Sequence, residues 1–169
     1  MKALIFMIVF FTMNACVSRH EQGKALAEVL KDEGYLNYQL KKNAANHFEI
    51  EGKINGKDAV FIIDTGASRT VLDLQRSKSF GLISGQGSKP AGGLGSSQQE
   101  SFEGTIANFM LGNINRKDFK VALIDLSHVN ASLQRAGIPP KDGVIGADIL
   151  LSGEAIIDYA RATLYLRSK

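Results

Sequence analysis

The sequence predicts an all-β protein built as a small barrel or sandwich, preceded by a helical segment. Short apolar stretches alternate with turn residues along most of the chain, patterns for long helices are few, and 17 glycines accompany only 3 prolines. Glycines allow tight turns between strands, and many short strands with few helices are typical of barrels and sandwiches. The 169 residues suffice for one domain with its own core.

Composition and charge exclude several classes of function. The formal net charge is only +3, and the basic residues are scattered without interleaved aromatics, so we expect no nucleic-acid partner. Cys16 is the single cysteine, which rules out an intramolecular disulfide and a cysteine-based metal cage. His20, His47 and His128 lack metal-ligand spacing. The sequence therefore predicts no metal and no cofactor.

The N-terminus has the pattern of an export signal. Lys2 precedes an apolar run over residues 3–13, which is shorter than the ~20 residues of a typical spanning helix. The tetrapeptide Met-Asn-Ala-Cys at 13–16 resembles a bacterial lipoprotein signal, in which a small residue precedes a lipidated cysteine. We therefore expect a signal peptide at 1–15, lipidation of Cys16, and an exported, membrane-anchored protein of the bacterial envelope, facing the periplasm or the cell surface. The alternative is an ordinary cleavable signal with an incidental cysteine.

Residues 16–46 are predicted to form a helical leader and a linker. Good helix formers fill residues 20–33, with apolar residues at helical spacing, and Gly34 is well placed to end the helix. Residues 35–46 are polar and rich in Asn and Lys, which indicates a linker. The leader could be a spacer from the membrane, a propeptide or a helix packed on the domain, and the sequence leaves these alternatives open.

Strand patterns define the predicted domain at 47–169. Apolar and charged residues alternate from Phe48 to Ile54, Asn55-Gly56 is a strong hairpin signal, and residues 59–63 are continuously apolar, as in a strand buried on both faces. The later predicted elements are a strand at 71–72, a hairpin of 102–111 and 119–124 around the turn 112–115, helical turns at 130–136, a buried strand at 143–146, a helix at 147–151, and a closing hairpin of 154–158 and 163–166.

The candidate chemistry lies at Asp64-Thr65-Gly66, directly after the apolar strand. Burying a lone carboxylate is costly, so an acid at the end of such a strand must be hydrogen-bonded, paired or functional. An Asx turn or a buried cap is the structural alternative. Asp158 also follows an apolar stretch, but no glycine comes after it, and we interpret it as a turn residue.

Three stretches carry a resemblance to the retropepsin-like aspartic proteases. Residues 61–73, FIIDTGASRTVLD, resemble their active-site strand and loop; residues 89–95, KPAGGLG, resemble the tip of their flap; residues 142–151, DGVIGADILL, resemble their hydrophobic-hydrophobic-glycine segment and the helix after it. The resemblance covers about residues 47–167. It implies a small closed β-barrel with a flap hairpin and one or two short helices, here preceded by an N-terminal helical segment.

The resemblance also assigns roles to residues. It makes Asp64 the catalytic acid, has Thr65 hydrogen-bond across the dyad, and has Gly66 let the backbone approach the carboxylates. Ala67 offers no hydroxyl to the carboxylate, which would leave the pKa of the dyad higher than a serine would. The full implied set adds Ser68, Val144, Ile145 and Gly146 as loop support, and Gly92, Gly93, Leu94 and Gly95 as the substrate-binding flap tip.

One such motif per chain implies a homodimer. Aspartic proteases need two carboxylates that share a proton, Asp-Thr-Gly occurs once, and the chain is too short for two lobes. Each subunit would contribute one Asp64 across a two-fold axis to an endopeptidase that acts on polypeptides. The alternatives are a retropepsin-fold module that binds an extended peptide without a competent dyad, and a lipoprotein whose barrel is purely structural.

Overall fold

The computed structural model describes residues 19–82, 88–91 and 99–167. The predicted signal peptide at 1–15, the lipidation site Cys16 and the flap-tip residues at 92–95 lie outside the described residues. In chain order the helices and strands are α1 (Arg19–Asp32), β1 (Tyr35–Gln39), β2 (Lys41–Lys42), β3 (Phe48–Ile54), β4 (Lys57–Ile63), β5 (Val71–Asp73), α2 (Leu74–Ser77), β6 (Ser88–Ala91), β7 (Gln99–Leu111), β8 (Ile114–Ile124), α3 (Ser127–Arg135), β9 (Gly143–Ile145), α4 (Ala147–Ser152), β10 (Ile156–Asp158) and β11 (Thr163–Arg167), with a 3-10 turn at Lys78–Phe80 after α2.

Six strands close into a barrel in the order β3-β4-β9-β5-β8-β7. Strand β7 returns to β3 through the pairs Lys53 with Met110 and Ile54 with Phe109. The pairs β4–β9 and β5–β8 are parallel, and the other barrel pairs are antiparallel. Buried apolar side chains fill the interior, and Phe61 meets Phe109 edge-on at 5.9 Å between ring centroids. The predicted all-β barrel is confirmed.

The predicted hairpins are present with small differences in their bounds. Asn55 and Gly56 both have positive φ, at +51° and +81°, as a two-residue turn between twisted strands requires. In the second hairpin the turn is shorter than predicted, because Ile114 and Asn115 already belong to β8. Helix α3 begins earlier than predicted, and the four-residue helix α2 has too short a pattern to be predicted.

The linker interpretation of residues 35–46 is wrong in its secondary structure. Strand β1 pairs antiparallel with β11, from Tyr35 opposite Arg167 to Gln39 opposite Thr163, and forms a three-stranded sheet in the order β1-β11-β10. The Tyr38 ring lies where a side chain on Gly112 would be, and its hydroxyl donates to Asn113 at 3.0 Å. The polar composition suits a strand at the edge of a sheet, where one face and one edge meet solvent.

Helix α1 agrees with the predicted helix and ends as predicted, since Gly34 has φ +84°. It packs on the domain: Gly23 lies so close to Arg161 that a side chain there would overlap the guanidinium, and Leu30 is buried. Arg167 of β11 reaches back to the Glu33 carbonyl at 3.3 Å. Among the described helices, none is long and apolar enough to span a membrane.

Candidate active site

Asp64 lies immediately after β4, at one end of the barrel. Its amide donates to the Ile145 carbonyl at 3.1 Å, so the hydrogen bonding between β4 and β9 continues one residue beyond the strand. Its Oδ1 accepts from the Gly66 amide at 2.8 Å, and its carbonyl accepts from the Ala67 amide at 3.2 Å. Asp64 thus heads an Asx turn that reverses the chain. The Asx turn that the sequence left open as the structural alternative is therefore present, and the catalytic role of Asp64 stays a prediction.

The Asp64 loop, residues 64–69, is open to solvent in the single chain. Asp64, Thr65, Gly66 and Ser68 are exposed, and Ala67 is half-buried. The sequence suggested a buried acid because the preceding strand is apolar. The structure places the acid beyond the last inward-facing residue, where the strand has already left the core. Among the described residues, the Asp64 carboxylate accepts a hydrogen bond through Oδ1 and none through Oδ2. Oδ2 is therefore available to other groups.

Strand β9 lies against the Asp64 loop. Val144 and Ile145 pair with Ile62 and Ile63 in parallel register. A Cβ on Gly146 would lie 2.5 Å from the Arg69 carbonyl, so only glycine fits this close approach of two backbones. The structure therefore brings the loop together with the three residues of the β9 segment that the resemblance named among its support, Val144, Ile145 and Gly146. Their part in catalysis stays a prediction.

Sequence reasoning missed a connection between the loop and helix α4. The amide and the hydroxyl of the buried Thr70 both donate to Asp148 Oδ1, at 2.9 and 2.7 Å, and the hydroxyl accepts from the Gly146 amide at 3.2 Å. The Ala147 amide adds a bond to the Ala67 carbonyl at 2.8 Å. Asp148 was visible as an acid in the first turn of a helix, but its partner lies 78 positions earlier.

Asp158 has the structural role that the sequence indicated. Its two oxygens accept from the amide and the guanidinium of Arg161, at 3.0 and 2.8 Å. These bonds close the turn between β10 and β11, and the guanidinium bond is the main cause that holds the pKa of Asp158 below its ordinary value. The carboxylates of Asp158 and Asp64 therefore differ: that of Asp158 is bonded to an arginine, whereas among the described residues that of Asp64 is bonded to the Gly66 amide of its own turn.

Strands β6 and β7 frame the predicted flap. They pair antiparallel from Ser88 opposite Phe102 to Ala91 opposite Gln99, on the two sides of residues 92–98. A hairpin therefore stands where the resemblance places one, although its tip lies outside the described residues. Among the residues that are described, no group of three or more His, Cys, Asp or Glu side chains could hold a metal ion.

Comparisons with known proteins agree with this geometry. A family model described as "Aspartyl protease" matches residues 50–149. The crystal structure of a retropepsin-like aspartic protease from Rickettsia conorii is similar, with a TM-score of 0.54 and 18% identity over 79% of this chain and 91% of that chain. The retroviral protease-like domain of Ddi1 from Leishmania major has a TM-score of 0.46 and 18% identity over 70% of this chain and 86% of that one. No curated protein matches. The first likeness, together with the closed barrel, confirms the predicted retropepsin-like fold.

Proposed function

The chain belongs to the aspartyl protease family, and from this premise we propose that it is an aspartic endopeptidase that acts as a homodimer on polypeptides. The observation that carries the proposal is the placement of Asp64. It stands exposed at the end of the barrel, in a loop tied to β9 and α4, with one carboxylate oxygen bonded to the Gly66 amide. That is a rigidly supported acid whose other oxygen is open to a substrate or to a second subunit.

The proposed dimer follows from the chemistry of the dyad. Two carboxylates brought close together cannot both ionise, so they share one proton. A single chain contributes one Asp-Thr-Gly motif, and its Asp64 loop is exposed. Pairing two such loops across a two-fold axis would cover both and place the second carboxylate. Thr65 and Gly66 of one subunit would then lie opposite Thr65 and Gly66 of the other subunit.

In the proposed reaction the ionised Asp64 acts as general base and the protonated Asp64 of the other subunit acts as general acid. The base takes a proton from water as the water oxygen attacks the peptide carbon. The acid gives its proton to the carbonyl oxygen. In the collapse of the tetrahedral intermediate the first Asp64 gives the proton it took from water to the nitrogen, and the C–N bond breaks to release an amine. One hydroxyl of the intermediate returns its proton to the other Asp64, which leaves a carboxylic acid and restores the singly protonated dyad. The residues at 92–95 would close over the substrate as the flap tip.

The proposal is tested by peptide-library cleavage over a dilution series of the purified protein, with sedimentation in parallel. Specific activity should rise with protein concentration as monomers associate. Asp64→Asn keeps the shape and the Asx turn but removes the ionisable group, so cleavage should fall by about 10⁴-fold, the upper end of a general acid-base contribution. Asp158→Asn is the matched control, because that acid also follows an apolar strand, and its cleavage should persist.

Mixing isolates the role of the dimer. Excess Asp64→Asn should suppress wild-type cleavage, because mixed dimers hold one ionisable carboxylate. Undiminished cleavage by Asp64→Asn would reject the aspartic mechanism, and a monomer with concentration-independent activity would reject the dimer. Peptide binding without cleavage at any concentration would favour the peptide-binding module instead.

For location we propose an exported lipoprotein anchored through Cys16, on the basis of the N-terminal pattern in the sequence. Two acyl chains are needed for stable anchoring. Cys16→Ser should therefore move the protein from the membrane fraction to the soluble fraction of the producing bacterium. A wild-type protein already found in the soluble fraction would contradict the anchor and leave plain secretion.

A further inference from the structure

Polar side chains buried away from the Asp64 loop form one hydrogen-bonded cluster. Each residue of this cluster is at least nine-tenths buried. Each either belongs to residues 141–142, directly before β9, or makes a hydrogen bond or ion pair with them. They are Glu49, Asp73, Asn130, Lys141 and Asp142. Burying this much polar surface is unfavourable unless every group is satisfied, and no buried side-chain N or O atom among the described residues lacks a partner. We call these five residues the polar cluster.

Asn130 of helix α3 clamps the backbone of Lys141. Its Oδ1 accepts from the Lys141 amide at 2.8 Å, and its Nδ2 donates to the Lys141 carbonyl at 3.1 Å. The same Nδ2 lies 3.4 Å from Asp73 Oδ2, and Asp73 Oδ1 accepts from the Leu126 amide before α3. A carboxamide has the donor and the acceptor that a peptide unit needs, so this side chain holds residue 141 as a neighbouring strand would.

The Lys141 side chain holds the same segment from the other side. Its Nζ lies 2.8 Å from Glu49 Oε2 on strand β3, and both side chains are almost completely buried. Glu49 Oε1 accepts from Asn43 Nδ2 at 2.7 Å. An ion pair at this depth depends on good geometry and on hydrogen bonds to the remaining oxygens, and this pair has both.

Asp142 completes the anchor on β4. Its Oδ2 accepts from the Val60 amide and its own amide donates to the Val60 carbonyl, at 2.8 and 2.9 Å. Its Oδ1 is paired with Arg76 Nη2 at 2.9 Å, and its carbonyl accepts from the Asp73 amide at 2.8 Å. Residues 141 and 142 are thus held at once by α3, β3, β4, the end of β5 and α2.

The polar cluster ends where β9 begins. Strand β9 has only three residues, too few to set its own register by side-chain pattern. A slip of one residue would put a side chain at the place of Gly146, where the Arg69 backbone leaves no room, and would move the Ile145 carbonyl away from the Asp64 amide. The anchor at 141–142 prevents that slip from the other end of the strand.

We propose that Asn130 and Asp142 are positioning residues for Asp64: they hold β9 in register, and β9 holds the Asp64 loop in the geometry that a dyad needs. The proposal rests on the proposed function for its effect on catalysis, but its effect on the loop is independent of any reaction. Displacement of a catalytic group by about 1 Å can lower a rate by about 10²-fold, so a cluster remote from the substrate would act mainly on kcat.

The test uses the full-length protein with three variants. Asn130→Ala removes the clamp. Asn130→Asp keeps the acceptor for the Lys141 amide but loses the donor to its carbonyl. Arg76→Met removes the ion pair of Asp142, together with the contact of the guanidinium with the Phe80 ring at 5.9 Å from its centroid, and is the variant to use should Asn130→Ala fail to fold. Ile114→Ala, at the start of β8, is the control, because it opens a cavity in the core without touching the polar cluster.

Two measurements are made at a temperature where each variant is fully folded. Asn130→Ala should lower kcat about tenfold or more while KM changes less than twofold. Amide hydrogen exchange at Asp64 and Ala147, which bond to Ile145 and Ala67, should accelerate about tenfold through local opening. Arg76→Met should show the same changes to a smaller degree. Asn130→Asp, which places a second buried carboxylate beside Asp73, should show them at least as strongly as Asn130→Ala, and Ile114→Ala should show neither.

The outcomes separate the two proposals. Faster exchange at Asp64 and Ala147 in the cluster variants alone supports the positioning role, even when the wild type cleaves no peptide and the proposed function fails. Exchange and kcat that match those of Ile114→Ala overturn the positioning role, because the cluster would then contribute only to global stability. A rise in KM with unchanged kcat would also overturn it, since it would place the effect on substrate binding.

Discussion

Asp142 and Asp64 lie at opposite ends of the β4–β9 pair, and their carboxylates differ in burial and in hydrogen bonding. Asp142 lies beside Val60, buried, with both oxygens and both backbone groups bonded. Asp64 follows the end of β4, four residues after Val60 and about 13 Å further along the chain at about 3.3 Å per residue, and it is exposed and bonded through Oδ1 to its own turn. An acid whose oxygens are all engaged stabilises the fold, whereas an acid with an open oxygen in a supported loop is available for chemistry.

The largest expected contrast in stability comes from breaking the buried ion pair. Lys141→Met leaves Glu49 charged in the interior and should lower the free energy of unfolding by about 3–5 kcal/mol. Asp64→Asn should change it by no more than about 0.5 kcal/mol, as for an ordinary surface substitution. Urea denaturation monitored by circular dichroism would measure both.

A double variant sharpens this contrast. Glu49→Gln combined with Lys141→Met removes both charges and should recover most of the lost stability, because the penalty lies in the unpaired charge rather than in the missing pair. Equal losses for Lys141→Met and Asp64→Asn would erase the distinction between the two ends of the strand pair.

A smaller effect is expected at the joint between the Asp64 loop and α4. Thr70→Val removes the hydroxyl's bond to Asp148, keeps the bond from the Thr70 amide, and leaves the buried Gly146 amide without its acceptor, which should cost about 1–3 kcal/mol of unfolding free energy. Thr70→Ser keeps the hydroxyl and should lose much less. Thermal unfolding of the two variants side by side distinguishes the lost hydrogen bond from the lost methyl group, and similar losses would assign the effect to packing.

The smallest expected effect is a pH dependence that originates in the polar cluster. Burial by itself would raise the pKa of Glu49, but hydrogen bonds from Lys141 and Asn43 and the charges of Lys141 and Lys41 outweigh it, so the pKa lies below the ordinary 4.5. A depressed carboxyl pKa contributes stability above the unfolded value and loses it as the pH falls through the folded value.

Unfolding free energy should therefore decline below about pH 4.5, with a slope approaching about 1.4 kcal/mol per pH unit for this one carboxyl. The Glu49→Gln and Lys141→Met double variant should lack this component, so its curve should be flatter than that of the wild type. Parallel curves for the two proteins between pH 3 and 5 would show that the acid sensitivity originates elsewhere.

The sequence by itself determined the local elements and the candidate acid. Asn55-Gly56 specifies a hairpin because only a few residues accept two positive φ angles in succession, and the alternation over 48–54 specifies which face is buried. The motif around Asp64 singled out the loop and the β9 segment beside it, since the spacing of an acid, a glycine and apolar strands is contained in short stretches of chain.

Only the tertiary structure decided the features that depend on distant partners. Residues 35–39 are polar, and they form a strand because β11 offers an edge to pair with. Thr70 forms a hydrogen bond with Asp148, and Lys141 forms an ion pair with Glu49, although the partners lie far apart in the chain. The exposure of Asp64 depends on where β4 leaves the barrel. Local sequence patterns reflect backbone preference and the alternation of side chains between faces. The partner of a polar group depends instead on which strands and helices lie side by side in the closed barrel.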